Sequence, residues 1–279
     1  IDLIKFSTMM KAMQEHQEEI LGLMKIFGYL DAMISIASFR VSLPYYSIPE
    51  LEMAGKAYLK VENLYHPLLS HPVANSIEAE NGILVTGSNA SGKSTFLKNI
   101  AVNTILAQTI YTVTASEYQA PYFKVMTSMA LRDDLERGES YFIVEIRSLK
   151  RILDETEKEG CLLCIIDEVL RGTNTIERIG ASSRILAGLD REHVLPFAAT
   201  HDIELSYILE DLYENYHFEE EVKEHEVVFN YLLKKGRVTT RNAIRLLEMT
   251  GYPENLSEEA KKAVADFEET GIWEKVQKF

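Results

Sequence analysis

The residues Gly87-Ser88-Asn89-Ala90-Ser91-Gly92-Lys93-Ser94 carry the spacing G-x-x-x-x-G-K-[ST], the P-loop pattern. Each residue type suits a polyphosphate. Glycines let a backbone wrap an anion and aim its N–H groups inward. The lysine reaches the β- and γ-phosphates, and the Ser94 hydroxyl is placed to ligate Mg²⁺. A second pair of residues could complete such chemistry. Leu162-Leu163-Cys164-Ile165-Ile166 runs into Asp167-Glu168, a pattern that matches a Walker B strand. Asp167 would hold Mg²⁺, usually through water, and Glu168 would orient or activate the attacking water. His201 closes another apolar run, Val194-Leu195-Pro196-Phe197-Ala198-Ala199, and would stand near the γ-phosphate. Ser140 precedes a long helical pattern. A serine there commonly acts as an N-cap, and the neighbouring Gly138 leaves room for a phosphate role.

These groups need rigid elements to bring them together. Gly82 to Thr86 reads as a buried strand entering the loop, and Ser94 to about Thr109 as the helix leaving it, with Thr95 in its first turn. A further helix is expected from Phe142 through Leu153 and another from Ile176 to Gly188. Ala57 to Val61, Ile110 to Val113, Tyr122 to Met126, Tyr213 to His217 and Val227 to Leu233 read as strands. Buried strands alternating with helices predict an α/β fold, a P-loop NTPase with a mainly parallel sheet flanked by helices. Its chemistry would lie at the carboxyl ends of the strands. A short helical segment precedes the sheet, broken by Pro44 and Pro49. Helices over Thr240–Thr250 and Ser257–Glu269 follow it. The expected division is 1–45 as a leading helical segment, 46–250 as the P-loop domain, and 251–279 as a C-terminal helical extension.

Composition narrows the partners. The chain has 279 residues, 46% of them hydrophobic, and a formal net charge of −14. That charge argues against this chain being the main nucleic-acid surface, because phosphate neutralisation needs clustered Lys and Arg. The one small basic cluster, Lys234-Lys235-Gly236-Arg237, reads as a solvated hairpin turn. No unbroken run of 18 apolar residues and no secretory pattern is present, so the expectation is a soluble, cytoplasmic piece without a membrane span. Helical periodicity already runs at Ile1, which points to a fragment of a longer protein. Cys161 and Cys164 imitate a C-x-x-C motif. On a strand, an offset of three sends them to opposite faces, so a buried structural role is expected. His66 and His71, in loops running toward the P-loop strand, are candidates for nucleotide contact or for local loop hydrogen bonds.

Taken together, the motifs resemble the ATPase domain of the MutS family of DNA mismatch-repair proteins, from about residue 20 to about residue 270. Gly87 to Leu97 resembles G-P-N-x-x-G-K-S-T-[FY]-[LM]. Asp133-Asp134-Leu135, Gly138 and Ser140 with Phe142-Ile143-Val144-Glu145 are similar to D-D-L-x-x-G-x-S-x-F-x-V-E. Asp167 to Thr173 resembles D-E-[LVI]-G-R-G-T, and Ala199-Thr200-His201 with Glu204-Leu205 is similar to A-T-H-x-x-E-L. The resemblance implies an ABC-like ATPase using ATP and Mg²⁺, working as a homodimer through this domain, with residues 1–45 as the helical end of an upstream core or lever region. Ser140 of one subunit would reach, in trans, the γ-phosphate held by the other, and His201 would sense that phosphate. Adenine contacts would fall near Pro72 and Val73, where the family often has an aromatic. DNA would be bound through regions of the parent protein outside this chain. Ser88, Ala90 and Leu170 depart from the family's usual proline, methionine and glycine, which suggests a divergent branch. Some divergent members carry membrane-associated N-terminal regions, and the resemblance leaves membrane association of the parent open.

Two other functions compete. One is a transporter-type or chromosome-maintenance ABC ATPase. Those proteins usually carry a Leu-Ser-Gly-Gly-type loop where this chain has Gly138-Glu139-Ser140-Tyr141-Phe142. The other is a nucleotide-gated interaction protein that has left DNA behind, which the acidic charge favours.

Overall fold

The computed structural model describes residues 2–88, 91–129, 141–222, 227–238, 244, 247, 248 and 251–275. Two helices lead: α1 (Asp2–Glu15) and α2 (Gln17–Ser42). Then come β1 (Glu50–Glu52), β2 (Leu59–Leu64), β3 (Asn75–Ala79), β4 (Gly82–Thr86), α3 (Lys93–Ile110), β5 (Glu117–Pro121) and β6 (Phe123–Ser128). The second half holds α4 (Tyr141–Glu155), β7 (Cys161–Asp167), α5 (Thr175–Ala187), β8 (Val194–Thr200), α6 (Ile203–Ile208) and β9 (Tyr213–His217). The hairpin β10 (Glu220–Val222) and β11 (Val227–Phe229), the short β12 (Lys234–Lys235) and the helix α7 (Glu254–Thr270) follow.

The larger sheet has the order β12-β9-β4-β8-β7-β6. The pairings β9–β4, β4–β8, β8–β7 and β7–β6 are parallel, and β12–β9 is antiparallel. Its central strands are continuous apolar runs because helices cover both faces. On one face Phe96, Leu97 and Ile100 of α3 pack with Ile83, Val85, Leu163, Ile165 and Phe197. On the other, Leu149 and Ile152 of α4, Leu186 of α5 and Leu205 of α6 pack with Leu84, Leu162, Ile166 and Ala198. Cys161 belongs to the first cluster and Cys164 to the second, both free thiols. The period-2 alternation therefore divides the C-x-x-C pair between two cores, as the offset of three requires.

A second sheet, β1-β5-β2-β3, is mostly antiparallel and was not foreseen as a unit. Three further expectations need correction. Ile110–Val113 is not a strand: α3 ends there in a left-handed Tyr111, and only an isolated bridge joins Val113 to Ser47. Lys234 and Lys235 do not form a hairpin turn but an edge strand, ion-paired to Glu219 and Glu214. Charged side chains on an edge blunt its pairing with other chains.

The third correction concerns α2. It has no buried residue, and by length and composition alone it is long and apolar enough to cross a membrane. Its apolar run is not unbroken, because Lys25, Asp31 and Arg40 interrupt the pattern. The expected helix over Thr240–Thr250 and the Asp133–Ser140 loop lie outside the described residues, apart from residues 244, 247 and 248.

Candidate nucleotide site

The carboxyl ends of β4, β8 and β7 are adjacent in the sheet, so the segments that leave them meet at one edge. Beyond β4 the chain turns at Gly87 (φ +143°), where an added Cβ would come within 2.6 Å of the Phe218 carbonyl oxygen. Only glycine fits that approach. Gly92 (φ +113°) is the N-cap of α3, and a Cβ there would meet the Tyr231 ring at 3.2 Å. Lys93 is buried, and its Nζ donates to the carbonyls of Gly87 and Ser88, both at 2.7 Å. Burial pushes its pKa down to about 8, against the opposing pull of the Glu168, Asp167 and Glu220 carboxylates. The Ser88 hydroxyl donates to Glu220 Oε2 at 2.7 Å. Asn89 and Ala90 lie outside the described residues.

Beyond β7 stand Asp167 and Glu168. Asp167 Oδ1 is buried and has no hydrogen-bond partner among the described residues. A buried carboxylate oxygen left in that condition is costly unless a cation or its water satisfies it. With the Ser94 hydroxyl at the start of α3, this donor set fits the oxygen preference of Mg²⁺. Glu168 has φ +60°. Its Oε1 lies 2.9 Å from His201 Nε2, and its Oε2 accepts from Arg171 Nε. Burial raises its pKa, but the hydrogen bonds from His201 and Arg171 overcome that and hold it at about 2. His201 is placed by its neighbour. Asp202 forms a two-pronged ion pair with Arg178 of α5, at 2.7 and 2.6 Å. Such a fork fixes direction as well as distance.

Leu170 is also left-handed, at φ +58°, a conformation that costs a non-glycine residue roughly 1–2 kcal/mol. It is held there from both sides. Its side chain is buried in the α4–α5 core, and its N–H donates at 2.6 Å to Glu145 Oε1, a buried carboxylate of α4. Burial raises the Glu145 pKa, opposed by backbone N–H donors at Leu170 and Arg171.

A cavity of about 480 Å³ opens over the loop, within the range usual for small-molecule sites. Of the expected site residues, Ser88, Ser91, Gly92, Lys93, Ser94, Thr95, Val73 and Glu168 line it; Pro72 does not. Gly87 and Asp167 stand behind the lining, and His201 touches it only through Glu168. Both loop histidines, His66 and His71, face the cavity. Burial and the nearby Lys98 lower the His66 pKa. Ser140 lies outside the described residues.

Tyr231, Phe218, Asn75 and Arg171 line the cavity without having been singled out. Tyr231 places an aromatic ring in the cavity lining, which also holds Val73. It is left-handed (φ +55°), stacks on Phe229 at 6.0 Å, and is pinned by Asn75, whose amide donates to its carbonyl at 3.0 Å. The same amide accepts from Leu233 N at 2.7 Å. Only the aromatic composition of Phe229-Asn230-Tyr231 could have hinted at this.

Sheet order, glycine turn and helix start define a P-loop α/β domain. The comparisons carry this to a family: a family model described as MutS domain V matches residues 83–268, and the chain belongs to the MutS family. It is 30% identical over 208 residues to the DNA mismatch repair protein MutS of Thermus thermophilus, covering 73% of this chain and 25% of that protein. It is 31% identical over 268 residues to human MutS protein homolog 4, covering 89% and 28%. It is 30% identical over 280 residues to the DNA mismatch repair protein MSH3 of Meyerozyma guilliermondii, covering 92% and 29%. The chain thus spans roughly a quarter to a third of the length of the curated relatives it matches.

Proposed function

We propose that this chain is the ATP-binding and ATP-hydrolysing domain of a MutS-like protein, and that its ATPase cycle is coupled to DNA binding in mismatch repair or a related DNA transaction. The observation that carries this is the convergence of Lys93, Ser94 and Glu168 on one cavity, with the unpartnered Asp167 oxygen behind it. In this reading Gly87 to Thr95 cradle the phosphates at the helix N-terminus. Ser94 and Asp167 would hold Mg²⁺, which would supply positive charge to neutralise the phosphates. Glu168 orients water once it is released from Arg171 or His201, and His201 senses the γ-phosphate. Tyr231 offers its ring to the adenine, with Val73 alongside.

The domain acts as a homodimer in this account, with Ser140 completing the partner's site. Residues 1–45 belong to an upstream helical region, 46–250 form the ATPase domain and 251–279 a helical extension. The exposed apolar surface of α2 suits packing against the remainder of the parent protein. DNA contact falls to regions outside this chain. The net charge of −14 favours a second reading, a nucleotide-gated interaction protein without a repair role. Salt-dependent binding of the full-length protein to mismatched and matched duplexes separates the two.

The nucleotide assignment is tested by equilibrium binding of Mg-ATP to the wild-type chain and to Lys93→Ala. Loss of the buried phosphate-facing charge is expected to weaken binding about 100-fold. Equal affinity of the two proteins would remove Lys93 from the site.

A further inference from the structure

Among the described residues, one side chain of α2 makes its hydrogen bonds to the rest of the molecule. Arg40, in the last turn of α2, donates from Nε to Thr112 Oγ1 at 2.9 Å and from Nη2 to the carbonyls of Ile110 and Tyr111 at 3.3 and 3.1 Å. Those carbonyls end α3. Last-turn carbonyls have no partner within their own helix, and they carry the negative end of its dipole. A guanidinium, with several donors in a fixed plane, suits both needs. The Tyr46 ring lies 5.4 Å from the guanidinium carbon and holds it from a further side.

Among the described residues, no other side chain of α1 or α2 makes a hydrogen bond or ion pair to the body of the molecule. The connecting backbone lands in the same place. Ser47 and Val113 exchange two backbone hydrogen bonds, each 3.1 Å. These two attachments fall on residues 110–113, just past the C-terminus of the helix whose N-terminus forms the P-loop, while Tyr45 of the connecting segment docks separately, its hydroxyl donating to the Asn63 carbonyl at 2.6 Å and its carbonyl accepting from the Tyr65 hydroxyl at 2.7 Å. That helix has 18 residues, a rod of about 27 Å.

We propose that Arg40 is a positioning residue that ties α2 to the far end of the P-loop helix, so that any rotation of α3 on phosphate binding is carried into α2. The proposal rests on the nucleotide reading above. α2 has 26 residues and so is about 39 Å long, and a rotation of about 5° at the joint would swing its far end by about 3 Å. A small movement at the phosphates would thereby become a measurable one at Gln17.

The test uses the full chain with spin labels at introduced cysteines, Gln17→Cys and Glu192→Cys, both exposed positions. Cys161 and Cys164 are buried, which keeps the labelling selective. Label-to-label distances are measured without nucleotide, with ADP and with a non-hydrolysable ATP analogue, and nucleotide affinity is measured on the same samples. The wild-type distance is expected to shift between states. Arg40→Ala should bind nucleotide within about twofold of wild type, since the sites are far apart, yet lose the shift. Arg40→Lys keeps the charge without the fork and should lose most of it; Thr112→Val should lose part. Retention of the full shift in Arg40→Ala would overturn the proposal. So would a wild-type chain that binds nucleotide with no shift. A wild-type chain that binds no nucleotide would overturn the nucleotide reading first, and the proposal with it.

Discussion

Lys93 gives the nucleotide site a pH dependence whose sign and size follow from its surroundings. Burial brings its pKa from 10.5 to about 8. The charged form is the one that pairs with phosphate, and a bound triphosphate would stabilise it and raise the pKa again. Near pH 7 about nine tenths of the side chain is already protonated, whereas near pH 9 only about one tenth is. Binding should therefore take up almost no proton near pH 7 and close to one near pH 9, and affinity should fall about tenfold for each pH unit above 8. Burial and the nearby Lys98 also hold the His66 pKa below its ordinary value. Calorimetric titration of Mg-ATP in buffers of different ionisation enthalpy reads the proton directly. Lys93→Arg, which stays charged at any working pH, should abolish the dependence on buffer. A wild-type enthalpy that is the same in every buffer near pH 9 would refute the reasoning.

Two further outcomes are expected. Tyr231→Ala should weaken ATP binding by about tenfold or more, the usual worth of a base–aromatic stack, while inorganic tripolyphosphate, measured by competition, should bind almost as well as to wild type; equal losses for both would mean the ring only supports the loop. Glu145→Ala should lower unfolding free energy by roughly 1–3 kcal/mol in a denaturant titration, because it strands the buried Leu170 N–H. Glu145→Gln, which keeps an acceptor, should cost less.

The glycine turns and the lysine of the candidate site were legible because their pattern is local. Eight consecutive residues hold both glycine turns, the lysine and the hydroxyl, and their spacing is set by covalent geometry. Asp167 and Glu168 were legible because a buried strand ends where its charges begin, here with Asp167 as the last residue of β7. Tyr231 was not, because it reaches the cavity through a left-handed residue and an amide clamp from Asn75, and neither leaves a pattern in the chain. The second sheet escaped for a related reason: β1, β3 and β5 are short and carry Glu50, Glu52, Asn75, Glu78, Glu117 and Gln119 among few apolar residues, so their alternation is weak. Arg171 stood in plain view within its motif, but its grip on Glu168 appears only when the turn after β7 is folded. The apolar character of α2 was masked by charges spaced along it, one of which, Arg40, became the joint.

The central claim is that Glu168 activates water against a phosphate held by Lys93, and phosphate release from Mg-ATP by the full chain tests it most directly. Wild type should turn over ATP. Glu168→Gln should bind ATP with similar affinity and release phosphate about 100-fold or more slowly, the contribution usual for a positioned general base. Unchanged phosphate release by Glu168→Gln would contradict the account.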